Sequence, residues 1–229
     1  METILIEKEI SGYIGRLLRE SFGRGPKAVY STYSDPFIVV HITGFMSPVE
    51  KSLIDCQQTL YVEKTRDVIM DGLMDEVKAF LEITLERKVD DFYYDWNLEE
   101  QSGAFIITLS PEAPEALTGG YAGKTHVHHE MAEVSIEAQK MPEEIDSSIL
   151  SRRVLLLIRK GILVQIEKEL IHLGFEETLT LAKRRLEKRK LKEHQGNFEK
   201  HLQKNIAEVF VDWNFDKDLS YSVFIFKPE

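Results

Sequence analysis

The sequence predicts an α+β protein of two related units, each packing antiparallel β-hairpins against helices. Three observations carry this. The chain's two Trp both lie in an Asp-Trp-Asn triplet, at Asp95-Trp96-Asn97 and Asp212-Trp213-Asn214. Each triplet closes an alternating segment that is followed by turn residues and a second apolar strand. Amphipathic segments at helical spacing precede these hairpins.

The internal match is gapless from Leu81–Glu112 to Phe198–Glu229, an offset of 117. Glu82, Leu85, Pro111 and Glu112 recur as Glu199, Leu202, Pro228 and Glu229. A fixed-period self-match of this kind marks a duplicated unit.

The first unit, residues 1–112, reads as helix, hairpin, long helix, hairpin. Ile6, Ile10, Ile14, Leu17 and Leu18 make one stripe of a helix over Ile4–Phe22. Gly23-Arg24-Gly25-Pro26 stops it, because Gly suits a left-handed cap and Pro cannot continue a helix. Lys27–Tyr33 and Phe37–Phe45 form a hairpin across Ser34-Asp35-Pro36, and a long helix follows over Glu63–Glu86. In the last hairpin, Phe92, Tyr94 and Trp96 share one face of a strand, Asn97–Gly103 turns, and Ala104–Leu109 returns.

Pro111 to Gly123, with two Pro and three Gly, supplies a linker placed at 113–123. The second unit, 124–229, reads as divergent. Its leading helix is missing from the pattern, Glu133–Gln139 alternates like a strand, and Met141-Pro142 is set over Ser47-Pro48. That alignment leaves 23 extra residues in an enlarged helical region, Ser148–Leu173 and Glu176–Glu193.

The 29 basic and 39 acidic residues give a net charge of -10, which argues against nucleic acid as a partner. The early acidic residues and missing basic n-region exclude a signal peptide at Met1–Glu9. Arg152, Arg153, Arg159 and Lys160 interrupt the most apolar stretch, so no transmembrane segment is expected. The single Cys56 allows no disulfide within the chain and fits a reducing, cytoplasmic setting.

The Gly23-Arg24-Gly25-Pro26-Lys27 turn, the apolar strand Phe37–Phe45, the Met46-Ser47-Pro48-Val49-Glu50-Lys51 step and the closing hairpin together resemble the bacterial MpsC-like family. That family is named for the C component of a sodium-translocating, membrane-potential-generating system. The resemblance implies a non-catalytic accessory or regulatory protein, cytoplasmic or peripheral to the membrane. Its expected partner is a membrane protein complex for sodium-linked potential or inorganic-carbon uptake, or a second copy as a homodimer.

Four features are candidate sites. His126 and His128 in Thr125–Glu130 share a face if that segment is a strand, at a spacing that can chelate a metal. The Gly-Arg-Gly-Pro turn, with Arg24 and Lys27, can hold a small anion, although a helix C-terminus just before it disfavours one. Together these define the alternative reading, a small-anion or metal sensor. Asp95, Trp96, Asn97, Asp212, Trp213 and Asn214 suit binding, but turn geometry and sheet packing explain them more simply. The basic run Lys183–Lys192 reads as a helix whose Leu179, Ala182 and Leu186 face inward and whose cations face solvent or an acidic protein surface. No hydrolase elbow, metalloprotease helix or phosphate loop occurs, so neither catalysis nor a cofactor is expected.

Overall fold

The computed structural model describes residues 2–110, 117 and 119–228. The chain divides into two units, Met1–Ala113 and Pro114–Glu229. Residues 113–116 and 118 of the expected linker lie outside the described residues.

The first unit runs α1 (Glu2–Phe22), β1 (Ala28–Ser34), β2 (Phe37–Thr43), α2 (Pro48–Asp55), α3 (Thr59–Leu85), β3 (Val89–Asn97) and β4 (Ser102–Leu109). The second runs α4 (Lys124–Ala138), β5 (Glu144–Ser151), β6 (Val154–Lys160), α5 (Gln165–His172), α6 (Glu176–Leu202), β7 (Ile206–Asn214) and β8 (Leu219–Phe226). Each unit has its own four-stranded antiparallel sheet, ordered β1-β2-β4-β3 and β5-β6-β8-β7. The α+β class with two related units is what the sequence predicted.

The internal equivalence is closer than the sequence reading allowed. β2, α2, α3, β3 and β4 recur residue for residue, 117 positions on, as β6, α5, α6, β7 and β8. Left-handed backbone recurs at the same places: Gly44 and Gly161, Gln57 and Gly174, Glu86 and Gln203, Gln101 and Asp218. There is no 23-residue insertion and no enlarged helical region. The segment Ser148–Leu173, expected as helix, holds most of the β5–β6 hairpin and then α5. The error has a physical cause: Val154 to Leu157 are all buried, so the strand shows a continuous apolar run with no alternation.

The leading helix is also present in the second copy. α4 spans both the histidine cluster and Glu133–Gln139, which was expected as a strand. Its buried residues Val127, Met131 and Val134 follow helical spacing, but they begin inside the polar His-rich stretch and are hard to see there. The turn after α4 is one residue shorter than that after α1, so Met141-Pro142 overlies Gly25-Pro26, and Val164-Gln165 takes the place of Ser47-Pro48.

The short helix α2 has no counterpart in the expected element order, although Ser47-Pro48-Val49-Glu50 spells its start. Glu50 N–H donates to Ser47 Oγ at 3.2 Å, and Ser47 N–H donates to Glu50 Oε2 at 2.7 Å, a reciprocal cap.

One face of each sheet carries a core against the long helices. In the first unit, Ile38, Val40, Ile42, Phe105, Ile107 and Leu109 pack on Ile10, Ile14 and Leu18 of α1 and on Met70, Leu73, Val77 and Leu81 of α3. In the second, Leu155, Leu157, Phe224 and Phe226 meet Val127, Met131 and Val134 of α4 and Leu191, Phe198 and Leu202 of α6.

The helix α1 also seals the sheet edge at β1. Glu7 Oε1 accepts from Tyr33 N–H at 2.9 Å, and Ser11 Oγ accepts from Ser31 N–H at 3.1 Å. Four helix residues advance about 6 Å and two strand residues about 7 Å. Side chains at spacing four on α1 therefore meet every second amide of β1, and Gly15 comes next, against Val29.

Candidate functional site

The most heavily built polar feature of each unit is a buried cation over its tryptophan. In the first unit, Arg66 on α3 is fully buried. Its guanidinium grips Glu50 of α2 through Nε at 2.7 Å and Nη2 at 3.2 Å, and Nη2 also donates to the Phe45 carbonyl at 2.9 Å. The plane lies 4.6 Å from the Trp96 ring centroid, 4.9 Å from that of Phe45 and 5.9 Å from that of Phe22. Burial alone would raise the Glu50 carboxyl, but the Arg66 hydrogen bonds and charge, with the Ser47 amide, hold it below its ordinary 4.5.

The second unit builds the same joint with a lysine. Lys183 Nζ bonds Glu167 of α5 at 2.8 Å and sits 5.3 Å from the Trp213 ring centroid. Glu167 also accepts from Val164 N–H at 2.9 Å, as Glu50 does from Ser47. A single ammonium lacks the reach of a guanidinium, and Gln139 makes up the difference. Its Oε1 accepts from Lys183 and its Nε2 donates to the Ile162 carbonyl at 2.6 Å, the counterpart of the Phe45 carbonyl. Continuing the offset of 117 upstream would have revealed this pair, because Gly44, Glu50-Lys51 and Leu53-Ile54 lie over Gly161, Glu167-Lys168 and Leu170-Ile171.

The second unit carries a further buried network. Arg159 of β6, fully buried, donates to Ser220 Oγ at 2.8 Å, to Ser135 Oγ at 3.0 Å and to Glu187. The corresponding first-unit residues are Ile42, Gly103, Leu18 and Met70, a wholly non-ionic set. At Gly103 a Cβ would fall 2.2 Å from the Trp96 ring. Ser220 occupies the equivalent place, and Trp213 instead stacks on Phe215 with centroids 6.3 Å apart.

The other candidate residues separate in space. Asn97 and Asn214 accept turn amides from Glu100 at 3.2 Å and Lys217 at 2.9 Å. Asp95 is buried, and Asp212 pairs with Arg184 at 3.2 Å. His126 and His128 sit two residues apart on a helix, so they face different ways. His126 stacks on His201, with centroids 4.8 Å apart, while His128 Nε2 meets Ser147 Oγ at 2.8 Å. Among the described residues, no group of three or more His, Cys, Asp or Glu is placed to hold a metal. Burial, then the Lys124 charge, push the His128 imidazole below its ordinary 6.5.

The basic run divides between surface and interior. Lys183 is buried with Glu187 and Leu191, whereas Ala182 is exposed and Leu186 only half-buried. The inward stripe is rotated by one position from the expected one because two charged residues, joined to each other and to their neighbours, lie inside it.

Lys27 lines a groove of about 400 Å³ between α1 and β1, with Ser11, Gly12, Gly15, Arg16 and Arg19. Arg24 is exposed on the turn beside it and does not line it.

The family described as the Na+-translocating membrane potential-generating system (MpsC) matches the chain over residues 4–111 and again over 130–228. The two matches end 117 residues apart, in agreement with the structural offset. No curated protein and no solved structure matches the chain. With both units covered, the chain belongs to the MpsC family as a tandem pair of its units.

Proposed function

We propose that this chain is a non-catalytic accessory or regulatory component of a sodium-linked, membrane-potential-generating system. It works by protein contact, peripheral to the membrane on its cytoplasmic side. The family match over both units carries this reading. Among the described residues no helix is long and apolar enough to cross a membrane, so a contribution to ion translocation would pass through a membrane-embedded partner. The buried charges support a scaffold role. Glu50, Arg66, Glu167, Lys183, Arg159 and Glu187 are spent on each other and on neighbouring backbone and hydroxyl groups, and they fasten helices to one another and to the sheet.

The test is affinity purification of the tagged chain from detergent-solubilised membranes of its own cell, with sodium or bicarbonate varied. The expected result is specific recovery of an ion-translocating membrane protein. Failure to recover any such protein under all conditions overturns the proposal.

A further inference from the structure

We propose that the groove between α1 and β1 of the first unit binds a phosphate-bearing ligand, with Arg16, Arg19 and Lys27 as its cations. Three cations and no carboxylate line it. Among the described residues none of the three forms an ion pair, in a unit that holds 11 basic against 20 acidic side chains. A strongly acidic unit that gathers unpaired cations around one concavity has a local field opposite to its net charge. Three positive groups suit a dianionic phosphate better than a single carboxylate, and the two guanidiniums offer fork geometry for its oxygens.

The local backbone is shaped around these side chains. Lys27 passes over Gly44, where a Cβ would lie 2.6 Å from the Lys27 Cβ. Arg19 lies against Gly25, where a Cβ would fall 2.6 Å from its Nε. The Gly-Arg-Gly-Pro turn thus serves the groove through its second glycine and not through Arg24. Arg16 rests over the Tyr13 ring at 5.4 Å. Above Gly12 there is open space, so the helix backbone is accessible from the groove. At about 400 Å³ the groove exceeds the size of a bare ion and fits a phosphate with an organic substituent.

The second unit supplies an internal control. It has the same fold, yet Arg16, Arg19 and Lys27 become Glu133, Ile136 and Glu143, and Gly12 becomes His129. The architecture does not require the cations, and only the first copy has them.

The experiment is an NMR titration of the intact chain with inorganic phosphate, and co-sedimentation with phosphatidylglycerol-containing vesicles against phosphatidylcholine alone. Phosphate is expected to shift the amides of Gly12, Gly15 and Lys27 and to leave those of His129, Ala132 and Glu143 unmoved. Arg16→Glu with Lys27→Glu, the residues of the second copy, should weaken binding by about tenfold or more. Arg16→Gln with Lys27→Gln should weaken it with the melting temperature retained. Saturable phosphate binding identifies a soluble ligand. Sedimentation with the anionic vesicles alone, lost in the same variants, identifies a lipid headgroup. The proposal fails if neither probe binds, if the shifts fall outside the groove, or if the variants bind like the parent.

Discussion

Arg66 and Lys183 show how much of a buried charge's stability lies in the groups around it. The guanidinium reaches both the Glu50 carboxylate and the Phe45 carbonyl unaided, with Phe22 packed against it. The ammonium needs Gln139, at the position of Phe22, to serve the Ile162 carbonyl. Removing one member of such a pair leaves the other charged and desolvated, so Arg66→Met should cost about 3–5 kcal/mol in urea unfolding. Arg66→Lys keeps the charge but brings no glutamine. The Phe45 carbonyl then loses its donor, and the expected cost is about 1–3 kcal/mol. Adding Phe22→Gln to Arg66→Lys should recover part of that loss. If Arg66→Met unfolds at the parent's urea midpoint, the cluster is not what ties α2 to α3.

At the level of elements, α1 caps the far end of the first sheet's edge with side-chain acceptors for the Ser31 and Tyr33 amides. Glu7→Ala and Ser11→Ala each delete one acceptor for a β1 amide, with an expected cost of about 0.5–1.5 kcal/mol. Hydrogen exchange at Tyr33 and Ser31 respectively should accelerate, and the amides of β4 should keep their protection; equal acceleration everywhere would mean global destabilisation and no edge seal. The hairpins β1–β2 and β3–β4, the helix α1 and the tandem repeat were legible because alternation, glycine-proline stops and the paired Asp-Trp-Asn triplets are local signals. β6 was not, since a strand buried along most of its length carries no period. α4 hid because its apolar stripe runs through His126, His128 and His129, and α6 because its inward positions include Lys183 and Glu187. A buried ion pair obeys no hydrophobic pattern, and only the repeat offset, followed through without a gap, would have placed it. The groove was half-legible: Lys27 was picked out by its turn, but Arg16 and Arg19 look like ordinary outward residues of α1 until β1 is laid beside them.

The whole molecule offers two interiors for one fold, and each unit contains one tryptophan to report on it. Trp96→Phe leaves Trp213 as the reporter of the second unit. In that background Glu187→Met alone should cost about 3–5 kcal/mol, whereas Arg159→Ile with Glu187→Met, the first unit's own residues, should be neutral or stabilising, because a buried ion pair rarely outperforms well-packed apolar groups. The same reporter tests a pH dependence confined to the second unit. His194 on α6 meets Glu130 Oε1 through Nδ1 at 2.5 Å and Glu137 Oε1 through Nε2 at 3.2 Å. Carboxylates only accept, so the protonated ring, with a proton on each nitrogen, is the form that satisfies both contacts at once. Burial opposes that charge, but the hydrogen bonds that Glu130 and Glu137 accept from the ring outweigh it and raise the imidazole above 6.5. Its stabilisation is therefore fully present below 6.5 and is lost as pH rises through the raised folded value. His128 works in the opposite sense. Burial, then Lys124, lower its imidazole, so its contribution is present above 6.5 and is lost as pH falls through the lowered value. The two trends partly cancel, and the informative quantity is the difference between the parent and His194→Gln. That difference should be at most about 1 kcal/mol in favour of the parent near pH 5.5, given the partial exposure of the pair, and should vanish once the pH is well above the raised folded value. A difference that stays constant across this range would show that His194 is held as a neutral ring and that α4 and α6 are fastened by packing alone.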